Sequence, residues 1–131
     1  MNILIAEDER IITLDLKKSL AEMGYKTVHS VHTASDAVNY ALEFKPDIIL
    51  MDIKFEDSIN GIEAAYFINS RIGTPVVFIS AFSPESFIKN KKIPENFSYV
   101  RKPINADELS SKIKEVLSVP PKNKAFSEIK T

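Results

Sequence analysis

Short apolar segments of the chain end in residues that can do chemistry. Their last or following positions hold carboxylates, a hydroxyl and an amine, contributed by Glu7 and Asp8, Asp52, Ser80 and Lys102. If these segments are parallel strands, the groups meet at the carboxyl edge of the sheet, where open α/β sheets bind ligands. Three carboxylates at one site need a counter-charge, and Mg²⁺ supplies it while leaving positions for water and phosphate oxygens. The pattern therefore predicts a Mg²⁺ site that receives a phosphoryl group.

The segments that position these groups alternate between strand and helix patterns. Apolar, β-branched runs predict strands at residues 2–6, 26–31, 47–52, 76–79 and 97–101. Between and after them, helical spacing and capping residues predict helices over about 10–23, from Thr33 through Leu42, beyond Gly61, briefly from Ser83, and from Asn105 through Leu117. Five strand–helix units predict an α/β fold with a doubly wound parallel sheet that helices cover on both faces. Five units are too few for an eight-stranded barrel, and no Gly-x-Gly-x-x-Gly follows the first strand.

The motif set resembles the response regulator receiver domains of the CheY-like family over residues 1–117. The resemblance is carried by the acidic pair in AEDE, the aspartate in LMDI, the hydroxyl and small residue in FISA, and the lysine-proline in YVRKP. These motifs occur in the family's order and at compatible spacing. The resemblance implies a flavodoxin-like strand order 2-1-3-4-5 with five helices, and it leaves residues 118–131, which contain Pro120-Pro121, as a tail or linker.

The resemblance also implies a role for each site residue. Asp52 would be the phospho-acceptor, Asp8 a direct ligand of Mg²⁺, and Glu7 a second acid at the metal. Lys102 would bind the phosphate, and Ser80 would be the switch hydroxyl. Phosphoryl transfer depends mainly on positioning and on neutralising charge, which suits this set.

Further positions follow from the same resemblance. Tyr99 matches the switch aromatic, the Lys102-Pro103 peptide bond matches one that is usually cis, and the backbone carbonyl of Lys54 is expected to bind the metal. Phosphorylation would change the surface formed by the fourth helix, the fifth strand and the last helix. Partners would read that surface, and homodimerisation through it is left open.

The sequence departs from the family pattern in two places. The loop KFEDSINGIEAA after Asp52 lacks the usual Met-Pro and is slightly longer, and Glu7 stands where many members have Asp. The side chains of Lys54 and Phe82 are expected to affect the phosphate lifetime, in a direction that the sequence leaves open. Glu7 still supplies the required negative charge.

The composition of the chain argues against several other classes of protein. The 17 basic and 18 acidic residues give a net charge of -1, so no global field favours nucleic acid or anionic membranes. There is no cysteine, and the two histidines lack partners at metal-site spacings. No leader pattern precedes the acidic segment, and no apolar run approaches the ~20 residues needed to span a bilayer. We expect a cytoplasmic signalling protein, not an enzyme, whose partner is a sensor histidine kinase or a phosphotransfer protein.

Two alternatives remain at this point. The first is an interaction module with a receiver fold that signals without phosphate, suggested by the unusual loop after Asp52. The second is a metal-dependent phosphohydrolase with an aspartyl nucleophile, but that class needs a second acid where Lys54 stands, and a substrate cap domain.

Overall fold

The computed structural model describes residues 1–55, 60–81 and 93–118, and within these ranges five strands alternate with four helices. The strands are β1 (Asn2–Ala6), β2 (Thr27–Val31), β3 (Ile48–Asp52), β4 (Val76–Ser80) and β5 (Phe97–Arg101). The helices are α1 (Arg10–Glu22), α2 (Ala34–Phe44), α3 (Gly61–Ile72) and α4 (Ala106–Leu117). The helix predicted from Ser83, and the predicted tail beyond residue 118, lie outside the described residues.

The five strands form one parallel sheet in the order β2-β1-β3-β4-β5, which confirms the predicted fold class and strand order. All side chains of β3 and β4 are buried, whereas the edge strand β2 is partly exposed. Burial on both faces explains why the central strands are continuous apolar runs rather than alternating ones.

Two apolar layers hold the helices against the sheet. Because successive side chains of a strand point to opposite faces, odd and even positions of one strand enter different layers. Thus Leu4 and Ala6 pack in the layer under α2 and α3, while Ile3 and Ile5 pack under α1 and α4. The strands are thereby held with their carboxyl ends at one edge.

Side chains cap three of the four described helices. Thr33, Asn60 and Asn105 each accept a hydrogen bond from the backbone N–H three residues later, at the start of α2, α3 and α4. This confirms the helix starts predicted at Thr33 and Asn105. Glu9 precedes α1 and makes no such bond. None of the described helices has the length and apolar character needed to cross a membrane.

Candidate functional site

The carboxyl ends of β1 and β3 bring three acids together. Ala6 pairs with Met51 in the parallel register, so the two strands end nearly level. Carboxylate oxygens of Glu7, Asp8 and Asp52 lie within 4.8 Å of one another. Glu7 has no exposed surface, Asp52 is 6% exposed and Asp8 is partly exposed. The cluster is therefore mostly removed from water.

Lys102 supplies a positive charge to this cluster. Its Nζ atom lies 3.0 Å from Oε1 of Glu7 and 3.6 Å from Oδ2 of Asp52. The residue follows β5, its backbone N–H donates to the Ser80 carbonyl at 2.9 Å, and its peptide bond to Pro103 is cis, as the resemblance implied. The side chain is 17% exposed, so the amine is only slightly hydrated.

Burial controls the protonation of these groups. Burial raises the pKa of Glu7 to about 8, against the lowering effects of the Glu9 backbone N–H and the Lys102 amine. Burial also raises the pKa of Asp52, although contacts with Glu7 and the charge of Lys102 oppose it. For Lys102, burial lowers the pKa, but the contact with Glu7 and the charge of Asp52 outweigh it and the net direction is upward. The acids are therefore short of positive charge.

The donor atoms of the cluster fit Mg²⁺. All are hard oxygens, which this ion prefers, and a divalent cation would favour the ionised form of Glu7, which burial disfavours. Oε2 of Glu7 accepts the Glu9 backbone N–H at 3.1 Å. Among the described residues, Oε1 has the ion-pair contact with Lys102 but no donor aligned for a hydrogen bond. A buried carboxylate oxygen with spare acceptor capacity is a suitable ligand for a divalent cation.

The three remaining predicted residues stand at or near the ends of β3, β4 and β5. Ser80 ends β4, is 3% exposed and pairs with Arg101. Tyr99, on β5, pairs with Phe78 of β4. The partly buried Tyr99 side chain packs against the layer under α2 and α3. The exposed Lys54 follows β3, and its backbone N–H donates a hydrogen bond to the Asp52 carboxylate. Their roles in switching and metal binding stay predictions, and Phe82 lies outside the described residues.

Gly61 allows α3 to begin against the end of β3, a requirement that the sequence did not reveal. Its N–H donates to the Ile53 carbonyl at 2.7 Å. An added Cβ would overlap the carbonyl oxygen of Asp52 and lie 2.8 Å from its carbonyl carbon. The Asn-Gly dipeptide indicated only a turn. The structure shows that a residue without a side chain is required for the first turn of α3 to reach the Asp52 backbone.

His32 is a second residue whose contact the sequence did not predict. It lies one residue beyond β2, where its Nδ1 is 3.0 Å from the Glu7 carbonyl oxygen. The carbonyl can only accept, so Nδ1 carries the proton and Nε2 faces Nη1 of Arg10 at 3.5 Å. No local pattern connects His32 with Glu7, because strand pairing brings them together.

Residues 3–114 match the family model of the response regulator receiver domain. The chain belongs to the response regulator receiver domain family. This receiver domain is accordingly a component of two-component signal transduction, and members of its family interact with histidine kinases or phosphotransfer proteins.

Known relatives agree with the assignment. The receiver domain is 36% identical over 107 residues to the transcriptional regulatory protein PdtaR of Mycobacterium tuberculosis, an alignment that covers 82% of this chain and 52% of PdtaR. The chain thus spans about half the length of this relative.

Solved structures share the fold. The N-terminal domain of a response regulator/sensory box/GGDEF 3-domain protein from Carboxydothermus hydrogenoformans is 29% identical, with a TM-score of 0.80 over 90% of this chain and 94% of that domain. The anti-anti-sigma factor PhyR from Bartonella quintana is 30% identical, with a TM-score of 0.76 over 99% of this chain and 51% of PhyR. Similar receiver domains therefore occur in proteins with different outputs.

Proposed function

We propose that this receiver domain accepts a phosphoryl group on Asp52 from a phosphohistidine of a sensor histidine kinase or a phosphotransfer protein, with Mg²⁺ as cofactor. The observation that carries the proposal is the buried carboxylate cluster with the Lys102 amine 3.6 Å from Asp52. A single acid at a strand end would be weak support. Here two buried acids, Asp52 and Glu7, share the cation Lys102. An apolar core does not need such an arrangement.

The proposed transfer is a displacement at phosphorus. A carboxylate oxygen of Asp52 forms the new O–P bond as the P–N bond of the donor breaks, and the imidazole nitrogen leaves with the electron pair and takes up a proton. Lys102 is placed to stabilise negative charge on the moving phosphoryl oxygens. The low exposure of Asp52 limits access of water to the acyl phosphate formed.

Glu7, Asp8, Asp52 and the backbone carbonyl of Lys54 would hold Mg²⁺ in this proposal. When bound, the ion neutralises charge on the acids and on the phosphoryl group. Glu7 and Asp8 thus act as ligands, and Asp52 is both ligand and nucleophile. The same groups support self-phosphorylation from small phosphoryl donors and slow hydrolysis of the product, and no other enzymatic activity is proposed.

Ser80 and Tyr99 are the proposed switch. A phosphoryl group on Asp52 adds about 1.5 to 2 negative charges and strong acceptors that the Ser80 hydroxyl can approach. Tyr99, on the adjacent strand and already half-buried, would turn inward as Ser80 moves. We propose that the readout surface comprises the helix predicted from Ser83, β5 and α4. Homodimerisation through this surface, cytoplasmic localisation and a phospho-accepting unit of residues 1–117 stay predictions.

The start of α1 supports a protein as the phosphoryl donor. α1 begins at Arg10, directly after the acidic segment, and Ile11 and Leu14 expose 76% and 66% of their surface there. Large apolar side chains with this exposure beside a reactive site are typical of a contact surface. A kinase or phosphotransfer protein could cover them while presenting its phosphohistidine to Asp52.

Intact-mass measurement after incubation with Mg²⁺ and phosphoramidate, a small donor with a P–N bond, tests the proposal. The wild type and Asp36→Asn, which changes an exposed acid on α2, should each gain one phosphoryl group, and Asp52→Asn should gain none. No gain on the wild type, or an equal gain on Asp52→Asn, would overturn the assignment. No gain together with failure to bind Mg²⁺ would favour the phosphate-independent interaction module.

A further inference from the structure

Glu9 occupies a capping position without capping its helix. The residue directly precedes α1 with extended backbone angles, φ -87° and ψ 114°, which suit an N-cap. Its carboxylate accepts none of the free N–H groups of the first turn, whereas Thr33, Asn60 and Asn105 do so for the other described helices. The side chain is directed elsewhere.

The Glu9 carboxylate faces Lys102 instead. Oε1 of Glu9 lies 3.8 Å from the Lys102 Nζ atom, and the Glu9 side chain is 66% exposed. Among the residues that the structure describes, Lys102 therefore has three carboxylate neighbours, of which Glu7 and Asp52 are buried and Glu9 is exposed to solvent. A free phosphoryl donor that approached Lys102 past Glu9 would meet this exposed third carboxylate.

We propose that Glu9 is a specificity-determining residue that restrains phosphorylation of Asp52 by free anionic donors. This inference rests on the proposed function of Lys102 as the phosphate-binding cation. The Glu9 carboxylate competes with the donor's phosphoryl oxygens for the Lys102 amine and adds negative charge at the entrance. A protein donor brings its own side chains to the entrance and can replace the Glu9 contact, whereas a small donor cannot.

The expected effect is modest because Glu9 is well hydrated. Exposed ion pairs at this distance are weak, so removal of the charge should change a rate or an affinity by about two- to five-fold. The effect should also be screened by salt, since the Debye length falls from about 30 Å at 0.01 M to about 3 Å at 1 M. A purely structural role of Glu9 would not produce this salt dependence.

Phosphorylation rates with acetyl phosphate at saturating Mg²⁺ provide the first test. Glu9→Gln should react about two- to five-fold faster than wild type at low salt, and the ratio should approach one at high salt. Glu43→Gln makes the same charge change at an exposed position of α2 and should react at the wild-type rate. The inference is overturned if Glu9→Gln is no faster than Glu43→Gln, or if its gain persists at high salt.

Binding of inorganic phosphate, followed by protein NMR in the presence of Mg²⁺, provides a second test that needs no reaction. Glu9→Gln should bind phosphate about two- to five-fold more tightly than wild type and Glu43→Gln. Equal affinities in all three proteins would overturn the inference. If the wild type takes up no phosphoryl group, the proposed function fails, and the phosphate affinities alone still decide whether Glu9 limits access of anions to Lys102.

Discussion

The Nζ atom of Lys102 lies closer to the fully buried Glu7, at 3.0 Å, than to Asp52, at 3.6 Å. The cation of the site is therefore held mainly by an acid from the end of β1. Asp52 shares it as a second neighbour. This division keeps Lys102 in place while leaving Asp52 open to a new partner.

The first prediction concerns the strength of the Lys102–Glu7 pair. In a double-mutant cycle with Lys102→Met and Glu7→Gln at about pH 9, above the pKa of about 8 for Glu7, the coupling free energy should be roughly 1–3 kcal/mol. Urea unfolding in the presence of a chelator measures it. The exposed Lys112–Glu115 pair, at 3.6 Å, is the control and should give less than about 1 kcal/mol. Equal coupling in the two pairs would contradict the prediction.

The second prediction is that the metal-free protein loses stability as pH rises. Burial raises the pKa of Glu7 from 4.5 to about 8, so the folded state binds a proton more tightly than the unfolded chain. The stabilisation that the proton on Glu7 gives the fold is fully present below about pH 4.5. It decreases as the pH rises to about 8 and is absent above that pH. The free energy of unfolding should fall by a few kcal/mol, at most about 5 kcal/mol, across this window. Glu7→Gln should reduce the slope, and an unchanged slope would refute the burial of Glu7 as its cause.

A third prediction links the same proton to metal binding. At pH 7 the metal-free site retains a proton because of the raised pKa of Glu7, and a Mg²⁺ ligand must be ionised. Calorimetric titration with Mg²⁺ in buffers of different ionisation enthalpy should show release of up to about one proton at pH 7 and almost none near pH 9. Glu7→Gln is the control and should release much less. A binding enthalpy independent of the buffer would rule the linkage out.

The fourth prediction is that Asp52 destabilises the metal-free fold. Burial raises the pKa of Asp52, and the negative charge of the nearby Asp8 adds to the effect. Keeping Asp52 ionised in the folded protein therefore costs free energy. Asp52→Asn should increase the free energy of unfolding at pH 8 by about 1 kcal/mol in chelator, and by less at pH 5. Asp15→Asn, on the exposed face of α1, should change it by less than about 0.5 kcal/mol. A loss of stability in Asp52→Asn would mean that the carboxylate is well compensated without metal.

The fifth prediction concerns Gly61. Gly61→Ala places a methyl group on the backbone of Asp52, with contacts of 2.8 Å and 2.9 Å to Asp52 and Ile53. It should destabilise the protein by roughly 2–4 kcal/mol and slow phosphorylation of the folded fraction. Gly24→Ala is the control, because its φ of +96° is strained but no atom lies within 4 Å of the new carbon. Gly24→Ala should cost about 1 kcal/mol and leave the phosphorylation rate unchanged.

The fold could be predicted from the sequence because its signals are local. The apolar and aromatic runs of β1 and β5 have the predicted bounds, and β3 begins one residue later than predicted. The residues that end the strands could also be predicted to converge, since a parallel sheet places all carboxyl ends at one edge. These predictions need only the hydrophobic periodicity of the sequence and the position of each polar residue.

Contacts that depend on side-chain direction could not be predicted in the same way. Glu9 follows the acidic pair in the sequence, and its carboxylate lies 3.8 Å from the amine of a lysine more than 90 residues away. His32 contacts Glu7 because β1 and β2 pair in register, and Gly61 is required because α3 begins against the Asp52 backbone. Each contact is set by the packed structure and leaves no periodic pattern.

The backbone hydrogen bond from Lys102 to the Ser80 carbonyl, at 2.9 Å, joins the ends of β4 and β5. Lys102 carries the amine that lies 3.6 Å from Asp52, and Ser80 carries the buried hydroxyl at the end of β4. The two side chains on which the phosphorylated state is proposed to depend thus belong to residues that share one backbone hydrogen bond, which ties the end of β5 to the end of β4.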